Sequence, residues 1–280
     1  MITRRELGGI FGVAALGAAS AKAAKIDSTV RGVTIGVQSY SFRDRGLDAA
    51  IAGMKECGAG LCELWQGHIE PKEKTALAAW RKSPPIDELK GVRKKFDTAG
   101  IELYALNYSF RQDWSDEETE KGFEIAKALG VKYITASSNP SAAPRIDKFA
   151  QAAKMIVAMH NHSNLKPNEF ARAEDFAQAM TGTKNIKINF DIGHFTAANF
   201  DAVKFIEEHH QDIITLHIKD RKKDQGKNVP FGEGDTPIKQ VLQLLRDKKY
   251  KIPANIEFEY AGDPLVEVKK CVDYCKAALA

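Results

Sequence analysis

"IELYALNY" (residues 101–108) runs into "SDEETEKGFEIAKALG" (115–130), and this pair of unlike segments sets the pattern for most of the chain. The first segment is short and apolar, as buried β-strands are. The second has helical periodicity, opens with a serine and three acidic residues, and ends at a glycine. Serine and acidic residues suit the start of a helix, and glycine suits its end. We therefore predict a strand followed by a helix.

The same alternation recurs from residue 33 onwards. Predicted strands cover 33–40, 60–65, 101–108, 131–137, 155–161, 186–191, 213–218 and 254–260. Predicted helices cover 47–58, 85–100, 115–130, 147–153, 173–180, 199–210, 236–249 and 262–280. Eight strands that alternate with helices in about 250 residues predict an α/β fold, the (β/α)8 TIM barrel.

An open, doubly wound parallel sheet is the alternative architecture. That fold would place a G-x-G-x-x-G phosphate loop after the first strand, and "GVQSYSFRDRG" (36–46) does not have that spacing. No linker or change of composition divides the chain after its N-terminus. We expect residues 25–280 to form a single barrel domain.

The first 24 residues have the composition of an export signal. Arg4 and Arg5 precede an apolar stretch rich in glycine and alanine, and small residues follow at 19–23. This order is typical of a secretory signal, and the paired arginines resemble the twin-arginine type. The apolar stretch is shorter than the roughly 20 residues that a membrane span needs. We predict a signal peptide over 1–24, an exported and periplasmic protein, and no stable membrane anchor.

Composition narrows the classes of partner. The chain is 44% hydrophobic and 28% charged, with a formal net charge of +4, and its basic residues are scattered. A nucleic-acid-binding protein would present a clustered basic face, so no nucleic-acid partner is expected.

The four cysteines lack a C-x-x-C spacing and predict buried thiols rather than disulfides. The oligomeric state stays open, with a homo-oligomer compatible with the sequence.

Polar residues concentrate where the predicted strands end, which is the end of a TIM barrel that carries its chemistry. Five of the seven histidines belong to this group. The set comprises Glu63, His68, Asn107, His160, His162, Asp191, His194, His217, Lys219, Asp220, Glu257 and Glu259. Imidazoles beside carboxylates are typical of a divalent metal site, with Mn, Co, Zn or Mg as candidates. Taken singly, each residue has an ordinary structural alternative, such as Asp191 capping a turn.

Several segments, in this order, resemble one known family. They are "GVQSYSFRD", "GLCELW", "HNH", "DIGH", "LHIKDR", "FGEGDTPI" and "IEFEY". The series is similar to the sugar phosphate isomerase/epimerase group of xylose-isomerase-like TIM barrels, which also includes inosose dehydratases and relatives of endonuclease IV. The resemblance extends over 33–280 and implies a barrel enzyme that acts on a small-molecule sugar with the help of one divalent metal ion.

The resemblance also implies residue roles. Metal ligands would be Asp191, His217 and Glu257 at the ends of the sixth, seventh and eighth strands, with His160 or His162 at the fifth. Related ketose 3-epimerases have a glutamate at the fifth position, where this sequence has His160. Catalysis is expected from Glu257, Glu63 and His160. Substrate contacts are expected from His68, Asn107, His162, His194, Lys219 and Glu259.

These roles predict a metal-dependent isomerase or epimerase that takes a proton from the carbon next to a carbonyl. Because His160 replaces the glutamate, a dehydratase, lyase or hydrolase is an alternative in which one carboxylate and one imidazole share the proton transfers. A sugar-binding barrel without catalysis is a further alternative. If the protein is exported, an unphosphorylated sugar or keto-sugar is the expected substrate.

Overall fold

The computed structural model describes residues 24–280 and shows an eight-stranded parallel barrel. Its strands are β2 (Val33–Gln38), β3 (Leu61–Trp65), β4 (Glu102–Asn107), β5 (Tyr133–Ala136), β6 (Ile156–His160), β7 (Ile186–Asp191), β8 (Ile213–Ile218) and β9 (Ala254–Ile256). Each strand pairs in parallel with the next along the chain, and β2 pairs with β9 to close the barrel. A short additional strand, β1 (Thr29–Val30), pairs antiparallel with β2.

Ten α-helices accompany these strands in the described part of the chain. They are α1 (Leu47–Glu56), α2 (Lys74–Lys82), α3 (Ile86–Ala99), α4 (Asp116–Ala128), α5 (Ala143–Ala153), α6 (Ala173–Met180), α7 (Ile192–Ala197), α8 (Ala202–His209), α9 (Ile238–Lys248) and α10 (Pro264–Leu279). The serine-and-acid start predicted for α4 is a capping box, in which Ser115 and Glu118 each accept from the other's backbone N–H.

The predicted single-domain TIM barrel is confirmed, and the differences are local. The sequence reading missed α2 and α7, which are short helices in loops that follow strands. The eighth barrel strand ends at Ile256, so Glu257 and Glu259 lie beyond it rather than on it. Short apolar runs do not reveal where pairing stops, because the last residues can lose their ladder partner without losing their burial.

The amino end of the barrel is covered by the segment that leads into β1. Ile26 donates its N–H to the carbonyl of Gly100, just before β4. This segment therefore lies at the end opposite the predicted chemistry. The predicted signal peptide over 1–24 falls outside the described residues except for residue 24, and it stays a prediction.

Two further observations concern the cysteine side chains and the length and polarity of the helices. Cys57, Cys62, Cys271 and Cys275 are all buried free thiols, as predicted. No helix within residues 24–280 combines the length and apolar character that crossing a membrane requires.

Asp220 fixes the long loop between β8 and α9. Its side chain is 2% exposed and accepts from the backbone N–H groups of Gly232 (2.8 Å), Gly234 (3.0 Å) and Thr236 (3.3 Å). A Cβ atom on Gly234 would lie 1.8 Å from Asp220 Oδ1, so the loop can close on the carboxylate only with glycine there. Asp220 is therefore a structural anchor of this loop.

Replacing Asp220 by alanine should destabilise the protein by about 1.5–3 kcal/mol, because three backbone donors lose a charged acceptor. Chemical denaturation measures this change, and hydrogen exchange should show faster exchange at Gly232 and Gly234. Asp247→Ala is the control, since that carboxylate is 63% exposed and contacts only Arg246, and it should change the unfolding free energy by less than about 0.5 kcal/mol. Equal effects of the two substitutions would contradict the anchoring role.

Candidate functional site

Four side chains from four consecutive strand ends converge at the carboxyl end of the barrel. They are His160, Asp191, His217 and Glu257, and each offers one ligand atom within 4.8 Å of the others. The sheet register explains the convergence, since Asp191 lies opposite His217 in the β7–β8 pairing. Glu257 follows β9 directly and donates its backbone N–H to the carbonyl of Ile218. The strands alone therefore bring two imidazoles and two carboxylates together.

The atoms that face the centre of this cluster make no hydrogen bond of normal geometry, although Glu257 Oε2 lies 2.9 Å from Lys219 Nζ and 3.1 Å from His217 Nδ1. Eight buried side-chain nitrogen or oxygen atoms in residues 24–280 lack such a hydrogen bond, and four of them are His160 Nε2, Asp191 Oδ2, His217 Nδ1 and Glu257 Oε2. Buried polar atoms without partners cost free energy, and such atoms are few in native proteins. Four of them aimed at one point, two nitrogens and two oxygens, are a donor set that fits a divalent cation.

Asp191 has two structural roles, one for each carboxylate oxygen. Its Oδ1 accepts from the backbone N–H of His194 at 2.6 Å and thereby caps helix α7. Its Oδ2 faces the cluster. The cap and the cluster are therefore compatible, and the helix fixes the direction in which the second oxygen points.

Glu63 supports the cluster from beneath. It is fully buried, and its Oε2 lies 3.0 Å from Nε2 of His217. Its Oε1 accepts from Gln38 Nε2 at 2.9 Å and from Thr135 Oγ1 at 2.6 Å. A carboxylate in this position holds the far nitrogen of His217 as a donor and leaves Nδ1 directed at the cluster. Histidine ligands of metals are commonly oriented in this way.

Lys219 lies beside the cluster and is 2% exposed. Its Nζ is 2.5 Å from Glu259 Oε2, 2.9 Å from Glu257 Oε2 and 3.4 Å from Asp191 Oδ2. Burial alone would lower the pKa of Lys219, but these three carboxylates raise it above its usual range. The ammonium in turn holds the pKa of Asp191 and Glu257 well below their ordinary values against the opposing effect of burial.

The site as a whole carries an excess of negative charge. Burial lowers the pKa of His217, but Glu63 and Glu257 together raise it well above its usual value, so this position favours a positive charge. Four carboxylates belong to the site, namely Glu63, Asp191, Glu257 and Glu259, whereas its permanent cations are Lys219 and Arg221. With neutral histidines, the carboxylates exceed these two cations by two charges. A divalent ion would balance that difference.

A cavity of about 330 Å³ opens directly above the cluster. Its wall combines two aromatic side chains with amides, hydroxyls, imidazoles and charged groups. The lining residues are Gln38, Tyr40, Trp65, Gln66, Asn107, Ser109, Ser137, His160, His162, His194, His217, Lys219, Glu257 and Glu259. A small cavity that mixes aromatic faces with many hydrogen-bonding groups suits a small polar ligand.

His162 and His194 lie beside the cluster, and burial lowers the pKa of both. Burial, together with His160 and Lys219, lowers the pKa of His162 to about 4, so its imidazole is neutral. Burial and Lys219 also lower the pKa of His194 well below its usual value. Arg221 Nη1 lies 2.7 Å from Nδ1 of His194, and Arg221 does not itself line the cavity.

The structure brings together most of the predicted site residues. Asn107, His160, His162, His194, His217, Lys219, Glu257 and Glu259 line the cavity, and Asp191 lies behind its wall. Glu63 and His68 do not line it. The ring nitrogens of His68 contact Ser39 Oγ at 3.0 Å and the Phe42 carbonyl at 3.3 Å. The predicted roles of Glu63 as an acid or base and of His68 in substrate contact stay predictions, which these positions do not favour.

Several cavity residues were missed by the sequence reading. Tyr40, Gln66, Ser109 and Ser137 follow the first four barrel strands, and Gln38 and Trp65 end the first and second of them. Their position at or just after a strand end is the one signal that could have identified them. Arg221 was grouped with scattered surface lysines, although its place directly after "HIKD" also puts it beyond a strand end.

Comparisons with known proteins agree with this architecture. The chain is 27% identical over 213 residues to L-ribulose-5-phosphate 3-epimerase UlaE of Shigella flexneri serotype 5b (strain 8401), covering 73% of this chain and 71% of that protein. The crystal structure of 3-keto-D-glucoside 4-epimerase YcjR from E. coli matches with a TM-score of 0.67 and 13% identity, covering 88% of this chain and 99% of that one. The structure of the IOLI protein with a binding zinc atom matches with a TM-score of 0.66 and 15% identity, over 88% and 96% of the two chains.

At these identities, the two structural matches support the fold. The model of one protein family, described as xylose isomerase-like TIM barrel, matches residues 51–277. This range includes seven of the eight barrel strands and the whole cluster. The chain belongs to the xylose isomerase-like TIM barrel family.

Proposed function

We propose that the protein is a divalent-metal-dependent isomerase or epimerase that acts on an unphosphorylated sugar or keto-sugar. The observation that carries the proposal is the convergence of four buried ligand atoms, two nitrogens and two oxygens, beneath a polar cavity. Relatives that are epimerases by name, such as UlaE, support an activity of this kind. Export, which the first 24 residues suggest, belongs to the same proposal.

The metal would be held by His160, Asp191, His217 and Glu257. Both nitrogen and oxygen ligands are present, which suits Mn, Co or Zn better than an ion that prefers oxygen alone. A divalent ion supplies Lewis-acid polarisation of a carbonyl oxygen, which makes the neighbouring C–H group more acidic. Glu63 would orient His217 through its far nitrogen.

Proton transfer would fall to Glu257 and His162. Both line the cavity, and within residues 24–280 no side chain or backbone group hydrogen-bonds to the ring nitrogens of His162, so its lone pair is available to a ligand. One group would remove the proton from the carbon next to the carbonyl. Return of a proton to the opposite face of that carbon gives the epimer, and return to the adjacent carbon gives the isomer. His160 would use its one lone pair on the metal, so His162 is the better imidazole for this step, whereas Glu257 would keep a second carboxylate oxygen for proton transfer.

The charges of the cavity favour a substrate without phosphate. Lys219 is the one permanent cation among the described residues that line it, and three carboxylates already surround its ammonium group. A phosphate would therefore lose water without gaining a free cationic partner. Tyr40 and Trp65 offer aromatic faces instead, against which the C–H face of a sugar can pack. In this respect the chain would differ from UlaE, whose name specifies a phosphorylated substrate.

The imidazole of His162 also supports a second candidate function, a dehydratase or lyase. If His162 passes its proton to a departing oxygen instead of returning it to carbon, the same initial step leads to elimination. Product analysis separates the two reactions, because an epimerase conserves the mass of the sugar and a dehydratase releases water.

The wild-type protein should bind one divalent metal ion per chain, and Asp191→Asn and His217→Ala should lose it. Asparagine keeps an oxygen that can cap α7, so this change removes the ligand charge with little effect on the helix. Elemental analysis of purified protein after dialysis measures the metal content, and thermal unfolding checks that each variant folds.

The controls change the same residue types outside the site. Asp247→Asn and His210→Ala should retain the metal. Glu63→Gln should weaken metal binding by about 10–100-fold, since it removes the carboxylate that orients His217. A wild-type protein that binds no divalent metal, or full metal content in both ligand variants, would exclude the proposed centre.

Turnover in deuterium oxide should place deuterium on the carbon next to the substrate carbonyl. Glu257→Gln and His162→Gln should each reduce this exchange by at least about 100-fold, the size expected for a lost general base. Proton NMR of candidate ketoses and 3-keto-glycosides measures the exchange, with His210→Gln as control. Turnover of a sugar without any incorporation would sink the proton-abstraction route.

An unphosphorylated ketose should be a better substrate than its phosphate ester. We expect kcat/KM for L-ribulose to exceed that for L-ribulose 5-phosphate by about tenfold or more, equivalent to about 1.4 kcal/mol of unfavourable phosphate transfer. Glu259→Gln frees part of the Lys219 charge and should narrow the ratio. A wild-type preference for the phosphate ester would contradict the proposed substrate class.

A further inference from the structure

His194 faces a cation at each of its two ring nitrogens. Arg221 Nη1 lies 2.7 Å from Nδ1, and Lys219 Nζ lies 3.1 Å from Nε2. A neutral imidazole has one lone pair and one N–H group, and neither an ammonium nor a guanidinium group can accept a hydrogen bond. The two contacts therefore compete for a single lone pair, and only one of them can be a hydrogen bond.

The lone pair of His194 must be on Nδ1, the nitrogen that faces Arg221. At 2.7 Å, an N–H group on Nδ1 would point into an N–H group of the guanidinium. The arginine is also fixed, because its Nε and Nη2 donate to the Gly226 carbonyl at 3.0 and 2.6 Å and its Nη1 also donates to Ser163 Oγ at 2.9 Å. Lys219, in contrast, can direct its N–H groups at Glu257 and Glu259 by rotation about one bond.

With the lone pair on Nδ1, the proton of His194 is on Nε2. His194 lines the cavity, and the nearest described carboxylate oxygen to its Nε2, Asp191 Oδ2, is 3.9 Å away. This distance is too long for a hydrogen bond. The Nε2–H group is therefore available to a ligand, and it lies next to the ammonium of Lys219. A substrate oxygen at this point would accept hydrogen bonds from both.

We propose that Arg221 is a positioning residue that holds His194 in its Nε2–H form, so that His194 is a hydrogen-bond donor to a substrate oxygen rather than a base. The role of the donor rests on the proposed function, whereas the tautomer does not. His194 Nε2–H and Lys219 would together stabilise the negative charge that develops on the carbonyl oxygen when the neighbouring proton is removed. Arg221 would act only through His194.

The tautomer can be observed directly by long-range proton–nitrogen NMR on protein with nitrogen-15 in its histidines. The spectrum is recorded on metal-free protein and on protein with zinc, which is diamagnetic, and His194→Gln assigns the signal. The wild-type protein should show the Nε2–H form of His194 in both states. An Nδ1–H form or an imidazolium would overturn the proposal, whether or not the protein is an isomerase.

Arg221→Met should change the His194 signal to a mixture of tautomers or to the Nδ1–H form, while Lys223→Met, an exposed change in the same loop, should leave it as in the wild type. With a sugar that the wild type turns over, Arg221→Met should lower kcat by about tenfold with little change in KM or zinc content. Arg221→Lys should recover part of the loss, since it restores one donor. An unchanged His194 signal in a folded Arg221→Met protein would also overturn the proposal.

Discussion

Balancing buried negative charge is the constraint on which the site depends. Three carboxylates lie around one ammonium group at the mouth of the barrel, and a fourth lies beneath them against His217. Each carboxylate would be expensive to bury alone, because a desolvated charge without a partner costs several kcal/mol. Lys219 reduces that cost without removing it. A cation in the centre is what the arrangement favours.

This constraint explains why the polar residues are arranged in layers. Gln38, Thr135 and Glu63 form a hydrogen-bonded floor within the barrel, and the floor holds His217 in one orientation. The cluster lies above the floor, and the cavity with its aromatic wall lies above the cluster. Each layer fixes the side chains of the next, so the geometry at the top depends in part on Glu63 and Thr135, which do not line the cavity.

The sequence alone predicted the barrel and most of the cluster for a physical reason. Strands in a parallel barrel all end at one rim, so polar residues after successive apolar runs must meet in space. Asp191, His217 and Glu257 follow from that rule as residues of the rim, and the resemblance to a known family singled them out as ligands. The position of Glu63 beneath the cluster does not follow from the rule, because a strand residue can face the barrel interior at any depth. Arg221 was missed because its run of basic neighbours is typical of a surface loop, and only the fold turns it inward.

The two oxygens of Asp191 have different roles, so the residue type at this position in a related barrel indicates which role that barrel retains. One oxygen starts helix α7 and the other faces the cluster. A glutamate would be one methylene too long for the cap, so selection for the fold and selection for the ligand both favour aspartate here. If a relative lost its need for the ligand, only the cap would still be selected, and asparagine or serine would then be tolerated. Asparagine or serine at this position would thus mark a barrel that retains the fold without the centre.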